Sequence, residues 1–322
     1  MAKRSFDEMG DSQGEMDLMR SIIAKFANPV GRNGEYLATE SGTFIFPIGP
    51  AEVHCVMIGA GGSGGLYYGA KNGGGGSGEA IHVVFSKPAG EFIPFTIGKP
   101  AAPTKGDTHW YDDGPCGMGG SSYGSYGWSP DVLDGGNTTL LKFVARGGKS
   151  GENFHGGAGS SGGGAANYII GKKFTKKRTG KKPPTIYGGS GGDGGGQPGG
   201  NTSFQSEKYN SAKRDYEQLT TMNNGGEAIY KIDPIIWTKF IPGDSGDGGF
   251  GLANNDASIG GGGAGGFLLI KGDKTANANS GDSNYSGHGG LGFGAGGGGG
   301  SKVGNTSFRG GQGASGCIYF WW

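Results

Sequence analysis

From Thr43 onward short apolar runs alternate with glycine. TFIFPIG (43–49), EVHCVMIG (52–59), EAIHVVFSK (79–87), EFIPFTIG (91–98), TTLLKFVARGG (138–148) and the closing CIYFWW (317–322) are rich in β-branched and aromatic residues. Each is bounded by Gly or Pro, the pattern of short antiparallel strands. The chain therefore predicts a mainly β fold, an antiparallel β-sandwich core. Residues 15–26, EMDLMRSIIAKF, differ: Met16, Met19, Ile22, Ile23 and Phe26 recur at helical spacing before Asn28-Pro29 stops the run. This predicts a short N-terminal α-helix, too short to be stable alone in water. Its apolar stripe either covers this chain's own core or docks to a neighbouring subunit.

Between the strands lies glycine, 78 residues in a chain of 322. With 14 prolines the fraction is (78 + 14)/322, about 29%, a composition shared by low-complexity disordered chains. Runs such as GGSGGDGGGQPGG (188–200), GGGGAGG (260–266) and GAGGGGG (294–300) can form flexible loops or three-residue-per-turn polyglycine II helices. Ordering a glycine costs about 0.5–1 kcal/mol relative to alanine, so 78 of them cost about 40–80 kcal/mol. Only a dense array bonded to itself offsets that. Apolar strands embedded between the runs (GGFLLIKG, 265–272) favour the array, as does a recurring phrase: GGNTTL (135–140), GGNTSF (199–204), VGNTSF (303–308). Each phrase predicts a turn leading into a strand at its Thr. The layout is an N-terminal segment (1–40) and a glycine-rich β domain (41–322). Within the latter the β core takes 41–100, 136–148 and 310–322. A glycine-rich excursion (149–309) carries insertions at 167–187 and 204–243, the apolar residues of 205–242 predicting a small folded lobe.

VHCVMIGAGGSGG (53–65) has a strand followed by the Gly59, Gly61, Gly64 spacing of a dinucleotide-binding turn. That turn needs a helix directly after it to hold the pyrophosphate. Here LYYGAKNGGGG follows, and four glycines do not sustain a helix. Other chemistry is equally thin. His54 and His82 fall in strands while His109, His155 and His288 are scattered, and Asp112-Asp113 sit in a turn-like DDGP. No catalytic residues, metal site or cofactor are expected, and the chain is not read as an enzyme. Cys55, Cys116 and Cys317 form no pair pattern; Cys55 and Cys317 read as small buried hydrophobes.

Net charge is +1, from 28 basic and 27 acidic residues, and no nucleic-acid module is recognisable, so no nucleic-acid partner is expected. No signal-peptide pattern opens the chain and no run approaches the roughly 20 apolar residues of a membrane span. Synthesis in a cytoplasm without membrane insertion is the expectation. Two segments have the composition of binding loops. Residues 107–131 set Trp110, Tyr111, Tyr123, Tyr126 and Trp128 among Gly, Ser and Asp, rigid rings among small polar groups. They serve either a ligand such as a sugar face or a local mini-core. Residues 171–184 hold Lys172, Lys173, Lys176, Lys177 and Arg178 with Lys181 and Lys182, suited to an anionic surface or simply solvated.

GTFIFPIGPAEVHCVMIGAGGSGG (42–65) resembles the opening of glycine-rich domains in bacteriophage tail fibres and tail-tip proteins. There a strand, a Pro-Gly bend and a second strand lead into a Gly-Ala-Gly-Gly run. The GGNTSF phrases and the terminal GGQGASGCIYFWW are similar to that family's internal repeat and last strand. The resemblance covers 42–100 and 303–322, and the middle in composition alone. It implies a virion tail component attached to other tail proteins through its N-terminal segment. Its exterior loops would meet a host-surface glycan or outer-membrane protein; the alternative is a purely structural baseplate or tail protein. A homotrimer and a single capping subunit both fit the family. The insertions depart from the compact adhesins of this kind.

Overall fold

A computed structural model of the chain describes residues 34–65, 73–100, 134–151, 154–169, 185–210, 215–252, 257–272, 275–303 and 306–322. The predicted helix of 15–26 lies outside them. Among the described residues the secondary structure is strand, with one 3-10 turn at Pro234–Thr238. The strands in chain order are β1 (Glu35–Ala38), β2 (Gly42–Ile45), β3 (Val53–Ile58), β4 (Ala80–Phe85), β5 (Phe92–Thr96), β6 (Thr138–Leu140), β7 (Phe143–Ala145), β8 (Asn167–Ile169) and β9 (Thr185–Tyr187). They continue as β10 (Thr202–Asn210), β11 (Asp215–Asn223), β12 (Phe240–Pro242), β13 (Phe250–Leu252), β14 (Ala257–Ile259), β15 (Phe267–Leu269), β16 (Ser301–Val303), β17 (Thr306–Phe308) and β18 (Cys317–Trp321). Every strand pair is antiparallel.

Two four-stranded sheets, β1-β18-β3-β4 and β2-β5-β6-β7, share one hydrophobic cluster. From the first come Ala38, Val53, Cys55, Met57, Val83, Phe85, Ile318 and Phe320; from the second come Phe44, Ile93, Phe95, Leu140 and Ala145. Phe44 stacks on Phe320 with ring centroids 4.2 Å apart and meets Phe85 and Trp322 edge-on. The closing CIYFWW is thus a central strand, and Trp322 N–H donates to the Gly34 carbonyl at 3.0 Å. Sheet pairing begins at Glu35, so residues 35–38 pack with the β layer.

β5 alternates exposed and buried, as a strand with one wet face should. β3 does not: Val53, Cys55 and Met57 face the first cluster while Val56 and Ile58 enter a second, with Ile236, Phe240, Phe267, Phe293, Cys317 and Tyr319. A strand buried on both faces reads as a continuous apolar run. Segment 205–242 therefore makes no lobe of its own. Its first part forms the β10–β11 hairpin, and Ile236 and Phe240 cover the outer face of the first sheet. Cys55 and Cys317 are fully buried, and burial pushes both thiols well up.

The glycine runs are ordered and bond with a period of three. Run 260–266 donates from Gly260, Gly263 and Gly266 to Tyr285, His288 and Leu291, from Gly262 and Gly265 to Gly189 and Gly192, and from Ala264 to Gly75. It accepts from Gly249, Gly246 and Gly243, from Gly299 and Gly296, and from Gly164. These twelve N–H···O bonds span 2.7–3.0 Å and join the run to six neighbours. Run 73–78 repeats the pattern: residues 74 and 77 donate to Gly164 and Ser161, 75 and 78 to Gly297 and Gly294, and 76 and 79 to Lys149 and Arg146. A threefold repeat of partners is what an extended helix of three residues per turn produces, and α-helix or sheet ladders cannot give it. Side chains are excluded by distance. A Cβ at Gly59, Gly61 or Gly64 would lie 1.9–2.0 Å from the carbonyl oxygen of Arg146, Ala295 or Gly298. The glycine spacing that mimics a nucleotide turn is therefore a close-packing requirement.

The recurring phrase is a joint between run and strand. All three copies start a strand at their Thr: β6, β10 and β17. In the first, Asn137 Oδ1 accepts from Gly147 N–H at 3.0 Å, two residues past the partner of Thr138; in the second, Asn201 Oδ1 accepts from Gly225 N–H at 2.7 Å, two residues past the partner of Thr202. The Thr hydroxyls donate inward, Thr138 to Ile58 O and Thr202 to Ala166 O. Each hairpin base is clamped where the array stops supplying backbone partners. In the third copy Thr306 sits at the turn end of β16–β17, and Asn305 lies outside the described residues.

Candidate binding surfaces

Runs 260–266, 294–300 and 309–316 each join the β8/β14/β16/β17 sheet to the β12/β15 pair or the two core sheets. The molecule accordingly has two ends. The core end holds Gly34 and Trp322; the far end holds the β8/β14/β16/β17 sheet and the β9–β13 ribbon. At about 3.1 Å per residue the seven-residue run 260–266 separates them by about 20 Å.

The sequence candidates Trp110, Tyr111, Tyr123, Tyr126 and Trp128, the basic Lys172, Lys173, Lys176, Lys177 and Arg178, and the docking residues Met16, Met19, Ile22, Ile23 and Phe26 all lie outside the described residues. The roots of the two loops are described. At the aromatic segment, Gly136 N–H donates to Lys99 O at 2.9 Å, and Asp134 accepts from Lys149 Nζ at 2.5 Å and from Ser150 N–H at 2.9 Å. That root lies beside Ala60, whose N–H donates to Gly136 O, at the core end of run 59–65. The basic segment leaves β8 and re-enters at β9, where Asn167 Nδ2 donates to Tyr187 O at 3.1 Å, at the far end. The two candidate loops thus spring from different levels of the array, each between roots held a hydrogen bond apart.

Strand pairing brings together residues that the sequence left scattered. On the outer face of the first sheet, His54 Nδ1 and His82 Nε2 are 3.2 Å apart, one ring donating and the other accepting. Their rings stack at 5.5 Å, and Trp321 stacks on both at 5.3 and 5.5 Å. Lys239 Nζ lies 5.1 Å from the Trp321 ring centroid and 3.0 Å from Glu35 Oε1. Burial, then the adjacent His54, lower the His82 pKa, with Asp233 opposing. The Lys239 hydrogen bond, helped by one from Tyr319, holds the Glu35 carboxyl low against its partial burial. The missed signal was alternation with register: His54 opposes Trp321, and His82 opposes Val56 on the same face. Chemically this is a cation, a carboxylate and stacked rings in mutual satisfaction. No group of three or more His, Cys, Asp or Glu positioned for a metal exists among the described residues.

At the far end, cross-strand partners Tyr187 and Phe250 project their rings 61% and 52% exposed, centroids 6.4 Å apart. Beside them lies an open pocket of about 210 Å³ lined by Thr185, Phe250, Gly251, Asn284 and Tyr285. Gly251 lies flat on the Tyr285 ring; a Cβ there would be 2.5 Å from Cδ1. Neither Tyr187 nor Phe250 stood out in the sequence, because each is a lone aromatic at the mouth of a glycine run.

No described helix is long and apolar enough to cross a membrane. Against known proteins, the chain matches no family model and no curated sequence.

Proposed function

We propose that this chain is a structural component of a bacteriophage tail, a tail fibre or tail-tip protein that binds the host cell surface. In this reading the two four-stranded sheets are a β-sandwich base and the glycine runs stand on it as packed polyglycine II helices. The observation that carries it is the two-ended architecture. The N-terminal segment enters at Gly34, bonded to Trp322 beside the hydrophobic core, while the β8/β14/β16/β17 sheet and the β9–β13 ribbon lie at the far end. A protein that anchors at one end and presents a separate surface at the other fits attachment. The bonded array between them holds loop roots fixed, which lowers the ordering cost of binding. The resemblance of 42–65 and 303–322 to phage glycine-rich domains supplies the biological setting.

The N-terminal segment is assigned to docking on other tail proteins through Met16, Met19, Ile22, Ile23 and Phe26. Host contact is assigned to Lys172, Lys173, Lys176, Lys177 and Arg178, rooted at the far end, which would meet anionic surface groups, and to the aromatic segment, which its composition supports and the two-ended architecture does not, because its root lies at the core end. The test is virion adsorption after Trp110, Tyr126 and Trp128 are replaced together by Ala. Intact particles that fail to adsorb support attachment. Intact particles with unchanged adsorption leave a purely structural tail protein.

A further inference from the structure

We propose that the Tyr187–Phe250 corner is a second binding site, one that takes a single uncharged sugar ring. Pyranose rings carry a face of C–H bonds with partial positive charge, and an aromatic face is the electron-rich complement. Two such rings stand side by side here, more than half exposed. Large aromatic faces in contact with each other and with water are uncommon on a surface that has no use for them.

The pocket beside the rings has the rest of the required chemistry. Thr185 supplies a hydroxyl, Asn284 an amide that donates and accepts, and Tyr285 a phenol, the groups that match hydroxyls on neighbouring sugar carbons. Among the described residues none that lines it carries a charge, the lining a neutral sugar needs. Its volume, about 210 Å³, lies below the roughly 300–1,000 Å³ of drug-sized pockets, so it suits one ring.

The site is also tied into the glycine array. Phe250 N–H donates to Asn284 O at 3.2 Å, tying the ribbon to the corner. Gly188 N–H donates to Gly249 O, and Gly249 N–H to Gly260 O, both at 2.9 Å, which tie the ribbon's base to the central run. Sugar affinities are weak, and little of the interaction is lost to ordering such a site.

Saturation-transfer NMR on the full chain tests this, with methyl α-glucoside, methyl α-galactoside, methyl α-mannoside and, as the anionic probe, N-acetylneuraminic acid. Transfer to ring protons of at least one neutral glycoside is expected. It should vanish in Phe250→Ala and in Tyr187→Ala, weaken in Asn284→Ala and persist in Phe250→Trp, all with parental melting temperatures because these side chains are exposed. The site is overturned by transfer to none of the neutral glycosides, by transfer to the sialic acid alone, or by signals equal in parent and Phe250→Ala. Such a failure removes this corner and leaves the adsorption test standing, since that test changes residues elsewhere.

Discussion

Replacing Gly263 by alanine puts the bonded array to a direct test. Gly263 lies in the central run, and its added Cβ would fall 1.9 Å from the Gly296 carbonyl oxygen. Relieving that to about 3.2 Å, a tight contact, moves run 294–300 away by about 1.3 Å. Two bonds cross that contact, Gly296 N–H to Ala264 O at 2.9 Å and Gly299 N–H to Gly261 O at 2.8 Å. Both then open beyond about 4 Å and cease to be hydrogen bonds. Two buried donors and two buried acceptors are left unpaired at about 1–3 kcal/mol each, so the substitution should cost at least about 4 kcal/mol. At about 2–4 °C per kcal/mol the melting temperature falls by at least about 8 °C. Gly42→Ala is the control: its Cβ meets only the Phe95 ring, Cζ at 3.4 Å and Cε1 at 3.8 Å, ordinary contacts. Trimming the freedom of the unfolded chain there leaves stability unchanged or raised by about 0.4–1 kcal/mol. Differential scanning calorimetry of the three proteins gives the answer. Gly263→Ala melting with the parent would show that the runs are not packed as described.

Asn137→Ala leaves the buried Gly147 N–H without its partner and should cost about 1–3 kcal/mol; Asn201→Ala leaves a half-buried Gly225 N–H beside the exposed position 201, where water can replace the lost acceptor, and should cost less, an order that urea titration checks. Because His82 holds its proton less tightly folded than unfolded, the unfolded chain binds it first as pH drops. The contribution is therefore intact above the unfolded value of about 6.5 and is lost as pH falls toward the lowered folded value; His82→Gln should flatten that part of a melting-temperature profile, and an unchanged profile would refute it.

Much of the β layer was legible because its strands are local patterns. Each of 43–49, 52–59, 79–87, 91–98, 138–148 and 317–322 contains a strand, since β-branched and aromatic residues between Gly and Pro have little other use. The Thr of GGNTTL and GGNTSF opens a strand in every copy for the same reason, a short side chain that leaves a glycine run and enters a pleat. The apolar content of 205–242 misled because a segment's hydrophobicity does not say what it covers; Ile236 and Phe240 complete a core begun by Val56 and Tyr319.

What the sequence determined by itself was the strand inventory and the energetic demand that so much glycine be bonded or disordered. Which of those two holds, and which run lies beside which, is a property of long-range pairing: Gly75 meets Gly297, and Ala264 meets Gly75, across separations no local pattern encodes. Glycine has no side chain to announce its neighbours, so run 260–266 could pair with any similar run on composition alone. The strands and Asn clamps at the ends of the runs fix the register. His54, His82, Trp321, Lys239 and Glu35 were likewise assembled only by register, as were Tyr187 and Phe250.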